Sequence, residues 1–132
     1  LKIQNGVICL ISALAYHEIT TQIPHEVYVA LERGAEAPRL NHPPLRAFRF
    51  SGESFTIGIE KHKIDGVPVR IYSPEKTIAD CFKYRHKIGL DIAIEALKLY
   101  RKEKHFKADD LMKFARACRV EKVIRPYLET LL

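Results

Sequence analysis

The side chains that could carry chemistry in this chain are three cysteines, six histidines and a few carboxylates, so their spacing is informative. Cys9, Cys81 and Cys118 are far apart, odd in number and never in C-x-x-C spacing. This pattern does not favour a disulfide framework or a zinc site. Each cysteine lies in an apolar helical context, which predicts three small buried side chains and a reducing, cytoplasmic compartment.

The six histidines are His17, His25, His42, His62, His86 and His105. No two of them are four residues apart with a glutamate between them, which is the spacing of a helical metal-ligand pair, so they do not form a metal-binding motif. The sequence also contains no glycine-rich phosphate-binding motif and no G-x-S-x-G nucleophile motif. These patterns predict a protein that is not an enzyme, with no catalytic residues, no bound metal and no cofactor.

One acidic residue, Asp80, lies inside an apolar helical run, and this position makes it the strongest single candidate for a reactive side chain. Its neighbours supply simpler partners: Lys76 and Lys83 lie within one helical turn, and Tyr84 follows closely. A local ion pair on a helix is worth a few tenths of a kcal/mol. We therefore expect a structural role for this carboxylate.

The alternative function is a defence-associated, metal-dependent nuclease, which needs clustered carboxylates to hold a divalent ion. Asp65, Asp80 and Glu60 are the residues that such an enzyme would use. Glu60 has the wrong phase for the usual nuclease pairing, because it and Lys61 would point to opposite faces of a strand. The pattern therefore favours a non-catalytic protein.

The charge of the chain is concentrated in its C-terminal half. Residues 1–82 contain nine Lys or Arg and nine Asp or Glu, whereas residues 83–125 contain thirteen against six, within a total of +6. Such a basic face attracts nucleic acids or acidic proteins. The candidate contact surface comprises Lys83, Arg85, His86, Lys87, Arg101, Lys102, Lys104, Arg116 and Arg119.

The N-terminal half mixes one apolar helix pattern with strands. Residues 6–18 are apolar nearly all round, which predicts a buried helix starting near Asn5. Residues 27–32 and 45–50 alternate in polarity, which predicts strands. Residues 33–44 form a predicted loop, and its candidate exposed contacts are Arg33, Arg39 and His42.

A hairpin is the clearest local signal. Asp65 and Gly66 provide the positive φ angles of a two-residue turn between predicted strands at 57–64 and 67–72. Pro68 cannot donate a ladder hydrogen bond, so we expect the second strand to lie at a sheet edge there.

The C-terminal half reads as helices. Residues 73–75 (Ser-Pro-Glu) form a helix-start signal, and the apolar helical face that follows ends near Gly89. Further helices are predicted at 90–101, from 108, and at about 120–132. Segregated strands and helices predict an α+β fold with a small, mainly antiparallel sheet and about four C-terminal helices, all within one domain. Its two parts are residues 1–72 and 73–132.

Three segments also occur together in one order: GVICLISALAYHEITTQIP at 6–24, IDGVPVRIYSPEKTIADCFKYR at 64–85 and IGLDIAIEAL at 88–97. They resemble the AbiEi-type antitoxins, a viral-defence regulator family of bacterial abortive-infection (type IV toxin–antitoxin) systems. The resemblance covers nearly the whole chain. It corresponds to the C-terminal region of that family, which follows a winged helix-turn-helix.

The resemblance implies a transcriptional regulator that counteracts a nucleotidyltransferase-type toxin. In that family DNA is bound mainly by the N-terminal domain, so this chain is expected to bind DNA weakly and without sequence preference. Because the chain begins at Leu1 rather than Met, we expect that a preceding segment has been removed. No apolar run approaches the roughly 20 residues of a membrane helix, so no membrane partner is expected, and the oligomeric state stays open.

Overall fold

A computed structural model describes residues 5–36 and 44–131 of the chain. In chain order its elements are β1 (Gly6–Ile8), α1 (Leu10–Tyr16), β2 (Val27–Glu32), β3 (Leu45–Phe50), α2 (Glu53–Thr56), β4 (Ile59–Ile64), β5 (Val67–Tyr72), α3 (Pro74–Lys83), α4 (Arg85–Ile88), α5 (Leu90–Arg101), α6 (Ala108–Ala117) and α7 (Glu121–Leu131). The α+β class predicted from the sequence is confirmed. The last predicted residue of the final helix, Leu132, lies outside the described ranges.

The five strands form one sheet in the order β3-β2-β1-β5-β4. β1 pairs antiparallel with β2, and β4 pairs antiparallel with β5. In contrast, β2–β3 and β1–β5 are parallel. The sheet is therefore mixed rather than mainly antiparallel, because β3 runs in the same direction as β2, and β5 in the same direction as β1.

The N-terminal helix prediction was wrong over its first residues. Gly6–Ile8 forms the central strand β1, and the helix α1 begins only at Leu10. A central strand has neighbours on both sides and cover on its faces, so it reads as a continuous apolar run. Such a run cannot be distinguished from a buried helix by periodicity alone.

The hairpin between β4 and β5 matches its prediction, with φ angles of 51° at Asp65 and 80° at Gly66. Ladder pairs run from Ile59 with Tyr72 to Ile64 with Val67. β5 as a whole is not an edge strand, because it lies between β1 and β4, but at Pro68 itself the described pairing is with Lys63 of β4 alone. The described pairing of β5 with β1 is made further along the strand, so the missing N–H of Pro68 is not needed there.

Helix α3 forms the centre of the core. Its first turn is capped by Ser73, whose Oγ accepts a hydrogen bond from the Lys76 backbone N–H at 3.2 Å. Every residue from 76 to 82 is buried, and α3 packs against α1, α5 and α6. Strand residues on the helix-facing side of the sheet, such as Ala30 and Phe48, share this hydrophobic core.

No helix among the described residues is long and apolar enough to cross a membrane.

Candidate functional site

The candidate site lies at the edge of the sheet where β3 meets the end of α3. In the β2–β3 ladder Tyr28 pairs with Arg46 and Ala30 pairs with Phe48. Because side chains alternate along a strand, Arg46, Phe48 and Phe50 share one face of β3. Phe48 and Phe50 are buried by the helical layer, whereas Arg46 at the end of this row is half-buried.

The guanidinium of Arg46 is held against two aromatic rings. Its Cζ lies 5.5 Å from the centre of the Tyr28 ring and 5.2 Å from that of Phe48. Its Nη1 also donates a long hydrogen bond of 3.5 Å to the Tyr28 hydroxyl. Contacts of this kind favour the cation and limit its rotamers, so the charge of Arg46 is presented in a preferred orientation.

The helical side supplies a third ring and two lysines. Tyr84, between α3 and α4, stacks on Phe50 with centroids 5.4 Å apart and meets Phe48 edge-on, also at 5.4 Å. Lys87 Nζ lies 5.9 Å from the Phe48 ring centre, and Lys83 Nζ lies 5.9 Å from that of Tyr84. We call this group the Phe48 cluster; its members are Tyr28, Arg46, Phe48, Lys83, Tyr84 and Lys87.

The Phe48 cluster has an unbalanced positive charge. None of the ion pairs formed among residues 5–36 and 44–131 includes Arg46, Lys83 or Lys87. Burial raises the pKa of the Tyr84 hydroxyl to about 12, so this group stays neutral at physiological pH. Because Arg46 and Lys87 lie against one ring and neither forms an ion pair within the described part of the chain, they form a surface that attracts phosphate or carboxylate groups.

The structure brings part of the predicted basic surface together. Lys83, His86 and Lys87 are all exposed, with Lys83 Nζ beside the Tyr84 ring and Lys87 Nζ beside the Phe48 ring. Arg85, in contrast, turns back and donates a 2.7 Å hydrogen bond to the Phe82 carbonyl, so it helps to end α3. Arg46 was not among the predicted contact residues, although its alternation with the phenylalanines of β3 was visible in the sequence.

The remaining predicted cations lie on other elements. Arg101, at the end of α5, stacks on Phe106 with Cζ 4.9 Å from the ring centre, and Arg116 in α6 pairs with Glu121 at 3.1 Å. The other three cations are exposed at or beyond the ends of these helices; they are Lys102, Lys104 and Arg119. Of the predicted loop contacts, Arg33 is exposed after β2, and Arg39 and His42 lie outside the described residues.

Behind the Phe48 cluster lies a buried ion pair. Lys76 Nζ is 2.6 Å from Asp80 Oδ2, and the side chains are 0% and 1% exposed. The ammonium also lies 3.9 Å from the Tyr72 ring centre and 4.8 Å from that of Phe50. Burial raises the pKa of the Asp80 carboxyl, and the charge of Lys76 opposes this rise.

The structural role predicted for Asp80 is therefore supported by a direct contact with Lys76. The energy expected for the Lys76–Asp80 pair, a few tenths of a kcal/mol, was wrong. That value applies to an exposed helical pair, whereas burying this pair also has the large cost of removing both ions from water. The second oxygen, Oδ1, accepts a 3.5 Å contact from the Cys118 thiol. The carboxylate is thus enclosed by protein and held by two partners.

The three carboxylates of the nuclease alternative are not brought together. Asp80 lies in the core, Asp65 lies in the exposed hairpin turn, and Glu60 Oε1 lies 2.9 Å from the His62 ring. Within the described ranges, no group of three or more His, Cys, Asp or Glu side chains is placed to hold a metal ion.

All three cysteines are free and buried, as predicted. Burial raises the pKa of the Cys9 and Cys81 thiols well above the ordinary range, and that of Cys118 to about 12. A thiol reacts through its thiolate, so these groups are protected from alkylation and oxidation in the folded chain.

No protein-family model matches this sequence, and no curated protein matches it at a significant level. What the Phe48 cluster does must accordingly be inferred from its own side chains and from the three segments at 6–24, 64–85 and 88–97.

Proposed function

We propose that this chain is a non-catalytic regulatory and interaction domain of an antitoxin-like transcriptional regulator. It would act in a bacterial abortive-infection system of the type IV toxin–antitoxin class and counteract a nucleotidyltransferase-type toxin. The family assignment rests on the resemblance of the three segments. The interaction role rests on the Phe48 cluster.

The main support for the interaction role is that two cations lie against the same aromatic ring. Arg46 and Lys87 both lie within 6 Å of the Phe48 ring centre, and Lys83 lies beside the adjoining Tyr84. The two cations therefore lie within about 11 Å of each other, close to the Debye length of about 10 Å at 0.1 M salt, so both charges act on an anion that reaches this surface. The buried carboxylate of Asp80 is already paired with Lys76.

DNA is the anion that best suits a regulator with such a surface. Lys and Arg neutralise backbone phosphates without reading base sequence, so the expected binding is weak, nonspecific and strongly dependent on salt. A domain of this kind would add phosphate contacts beside a sequence-reading domain. It would position DNA rather than select it.

The nuclease alternative has less support. Its three candidate carboxylates lie in different parts of the fold, and Asp80 is enclosed by Lys76 and Cys118. Cleavage of plasmid DNA by the purified chain, dependent on a divalent metal ion and lost in Asp65→Ala or Glu60→Ala, would favour an enzyme instead.

Fluorescence anisotropy with unrelated DNA duplexes over a series of salt concentrations tests the DNA contact. We expect similar weak affinities for all duplexes, with log K falling linearly against log salt. The double variant Arg46→Ala/Lys87→Ala should lower the magnitude of this slope by roughly 2, since each lost phosphate contact contributes about 0.9.

The matched control is Arg116→Ala/Arg125→Ala, which removes the same formal charge from two arginines that both pair with Glu121. This control should change the slope much less. Tight, sequence-selective binding, or equal losses in both double variants, would contradict the proposed surface.

The antitoxin role needs a separate experiment. If a nucleotidyltransferase gene lies beside the gene for the full-length regulator, the two should be co-expressed in bacteria. Rescue of growth supports the role, and growth arrest despite normal levels of the regulator contradicts it.

A further inference from the structure

A second group of polar rings lies where the end of α1 meets β4, away from the Phe48 cluster. The rings of His17 and His62 have centroids 5.9 Å apart, although 45 residues separate them in the chain. Tyr16 contacts both rings, with centroid distances of 5.3 Å to His17 and 4.8 Å to His62. Tyr16 is 40% exposed, so the group is open to solvent on one side.

Each histidine is oriented by an oxygen atom that can only accept a hydrogen bond. His17 Nε2 lies 2.8 Å from the backbone carbonyl of Tyr72, and His62 Nε2 lies 2.9 Å from Glu60 Oε1. Each Nε2 therefore carries a hydrogen and donates it. In the neutral form of both rings, the lone pair that can bind an ion is on Nδ1.

This arrangement is the one that metal-binding histidines use. Such a histidine donates its second ring N–H to a carboxylate or a backbone carbonyl, which sets the tautomer and the ring orientation. Here His62 has the carboxylate partner and His17 has the carbonyl partner.

The ring separation also fits a shared ion. With zinc–nitrogen bonds of about 2.0–2.1 Å, two imidazole centres bound to one ion lie up to roughly 6.4 Å apart. That limit is for a linear N–Zn–N arrangement; at the tetrahedral angle of zinc the centres lie roughly 5.2 Å apart, so the two rings, at 5.9 Å, must approach by about 0.7 Å for one ion to bind both.

We propose that His17 and His62 bind one Zn²⁺ ion through their Nδ1 atoms, with water completing the coordination. This site does not depend on the proposed antitoxin role. A structural zinc site uses four protein ligands, whereas this one has two and faces solvent. Its metal is therefore held weakly and exchanges freely, in keeping with the lack of a third protein ligand among the described residues.

Isothermal titration of Zn²⁺ into the metal-free 132-residue chain at neutral pH tests the site. We expect one saturable equivalent, with affinity at least tenfold lower in His62→Asn and in His17→Asn. Glu60→Ala should weaken binding by about tenfold, because outer-shell partners of a ligating histidine typically contribute 10–100-fold. The matched control is His105→Asn, an exposed histidine outside the group, which should leave the affinity unchanged.

The His17 ring also holds the end of α1 to β5, so a His17 variant loses a structural contact as well as a proposed metal ligand. Nitrogen NMR of the histidine rings in the unaltered protein therefore provides a second measurement. Zinc should shift the Nδ1 resonances of His17 and His62 while their Nε2 atoms stay protonated. The proposal is overturned by the absence of saturable binding, by undiminished binding in the His17→Asn/His62→Asn double variant, or by zinc shifts confined to other histidines.

Discussion

Lys76 Nζ lies 2.6 Å from Asp80 Oδ2, one turn further along α3, and both side chains are almost completely shielded from water. The Lys76 ammonium lies over the Tyr72 ring, and Asp80 Oδ1 accepts a contact from Cys118. These partners belong to β5 and to the end of α6. The pair therefore ties the central helix to the sheet on one side and to a neighbouring helix on the other.

Removal of one member of this pair should be strongly destabilising. We expect Asp80→Ala to lower the free energy of unfolding by about 3–5 kcal/mol, because an unpaired ammonium would remain in the core. Urea denaturation followed by circular dichroism measures the change. Lys83→Ala, an exposed lysine of the same helix, is the control and should change stability by less than about 0.5 kcal/mol.

Removal of both charges tests whether the unpaired ammonium is the cause of this loss of stability. Lys76→Met/Asp80→Leu should recover most of the stability lost in Asp80→Ala, since well-packed apolar residues often replace a buried ion pair without net cost. A double variant as unstable as the single one would show that the two charges are not the origin of the loss.

A close backbone approach at Gly58 should make this position intolerant of a methyl group. Gly58 has a φ of +76°, and an added Cβ would lie 2.6 Å from Lys76 Cβ and 3.2 Å from Phe114 Cε1. Gly66 has a similar φ of +80° but no atom within 4 Å of such a Cβ. The substitution Gly66→Ala therefore measures the energetic cost of the left-handed backbone conformation without a steric contribution.

We expect Gly66→Ala to cost about 1–2 kcal/mol through its left-handed backbone. Gly58→Ala should cost this amount plus about 1–3 kcal/mol for overpacking against Lys76. Thermal or urea unfolding of the two variants measures the difference. Equal losses at both positions would rule out the steric contribution.

Acid should weaken the contact between the α1–β2 connection and α5. Glu95 Oε1 accepts a 3.0 Å hydrogen bond from the Thr21 backbone N–H, and Oε2 accepts a 2.9 Å bond from the Thr21 hydroxyl. These bonds stabilise the carboxylate and lower the pKa of Glu95 in the folded state. Its contribution to stability is thus complete above the unfolded pKa of about 4.3 and is lost as pH falls through the lower folded value.

Glu95→Gln should therefore flatten the dependence of unfolding free energy on pH in this acidic window. Glu129→Gln, at the exposed end of α7, is the control and should leave that dependence nearly unchanged. Urea unfolding at a series of pH values gives both curves. Parallel curves for Glu95→Gln and the unaltered protein would exclude the contact as a source of acid sensitivity.

The thiols of the folded chain should resist modification. Burial keeps Cys9, Cys81 and Cys118 protonated and inaccessible. We expect Ellman's reagent to label almost none of the three thiols under native conditions and all three in denaturant. Rapid labelling of one cysteine in the native state would show that its surroundings open locally.

Patterns local in the chain predicted the elements they belong to. Asp65-Gly66 specified its hairpin because few other residues accept two successive positive φ angles. Ser73 and Pro74 marked the start of α3 through capping chemistry, which needs no distant partner. Gly6–Ile8 was assigned to a helix because a short apolar run has no period of its own, and only its pairing with β2 and β5 makes it a strand.

The sequence by itself determined the α+β class, the basic C-terminal half and the presence of two lysines within one helical turn of Asp80, of which the structure selects Lys76. Only the tertiary structure decided that Arg46 joins Lys87 on the Phe48 ring and that His17 meets His62. The physical reason is the sequence separation of these residues, because helical and strand periods relate only residues that are a few positions apart in the chain. Convergence of side chains from distant elements depends on sheet order and on how the helices pack over the sheet.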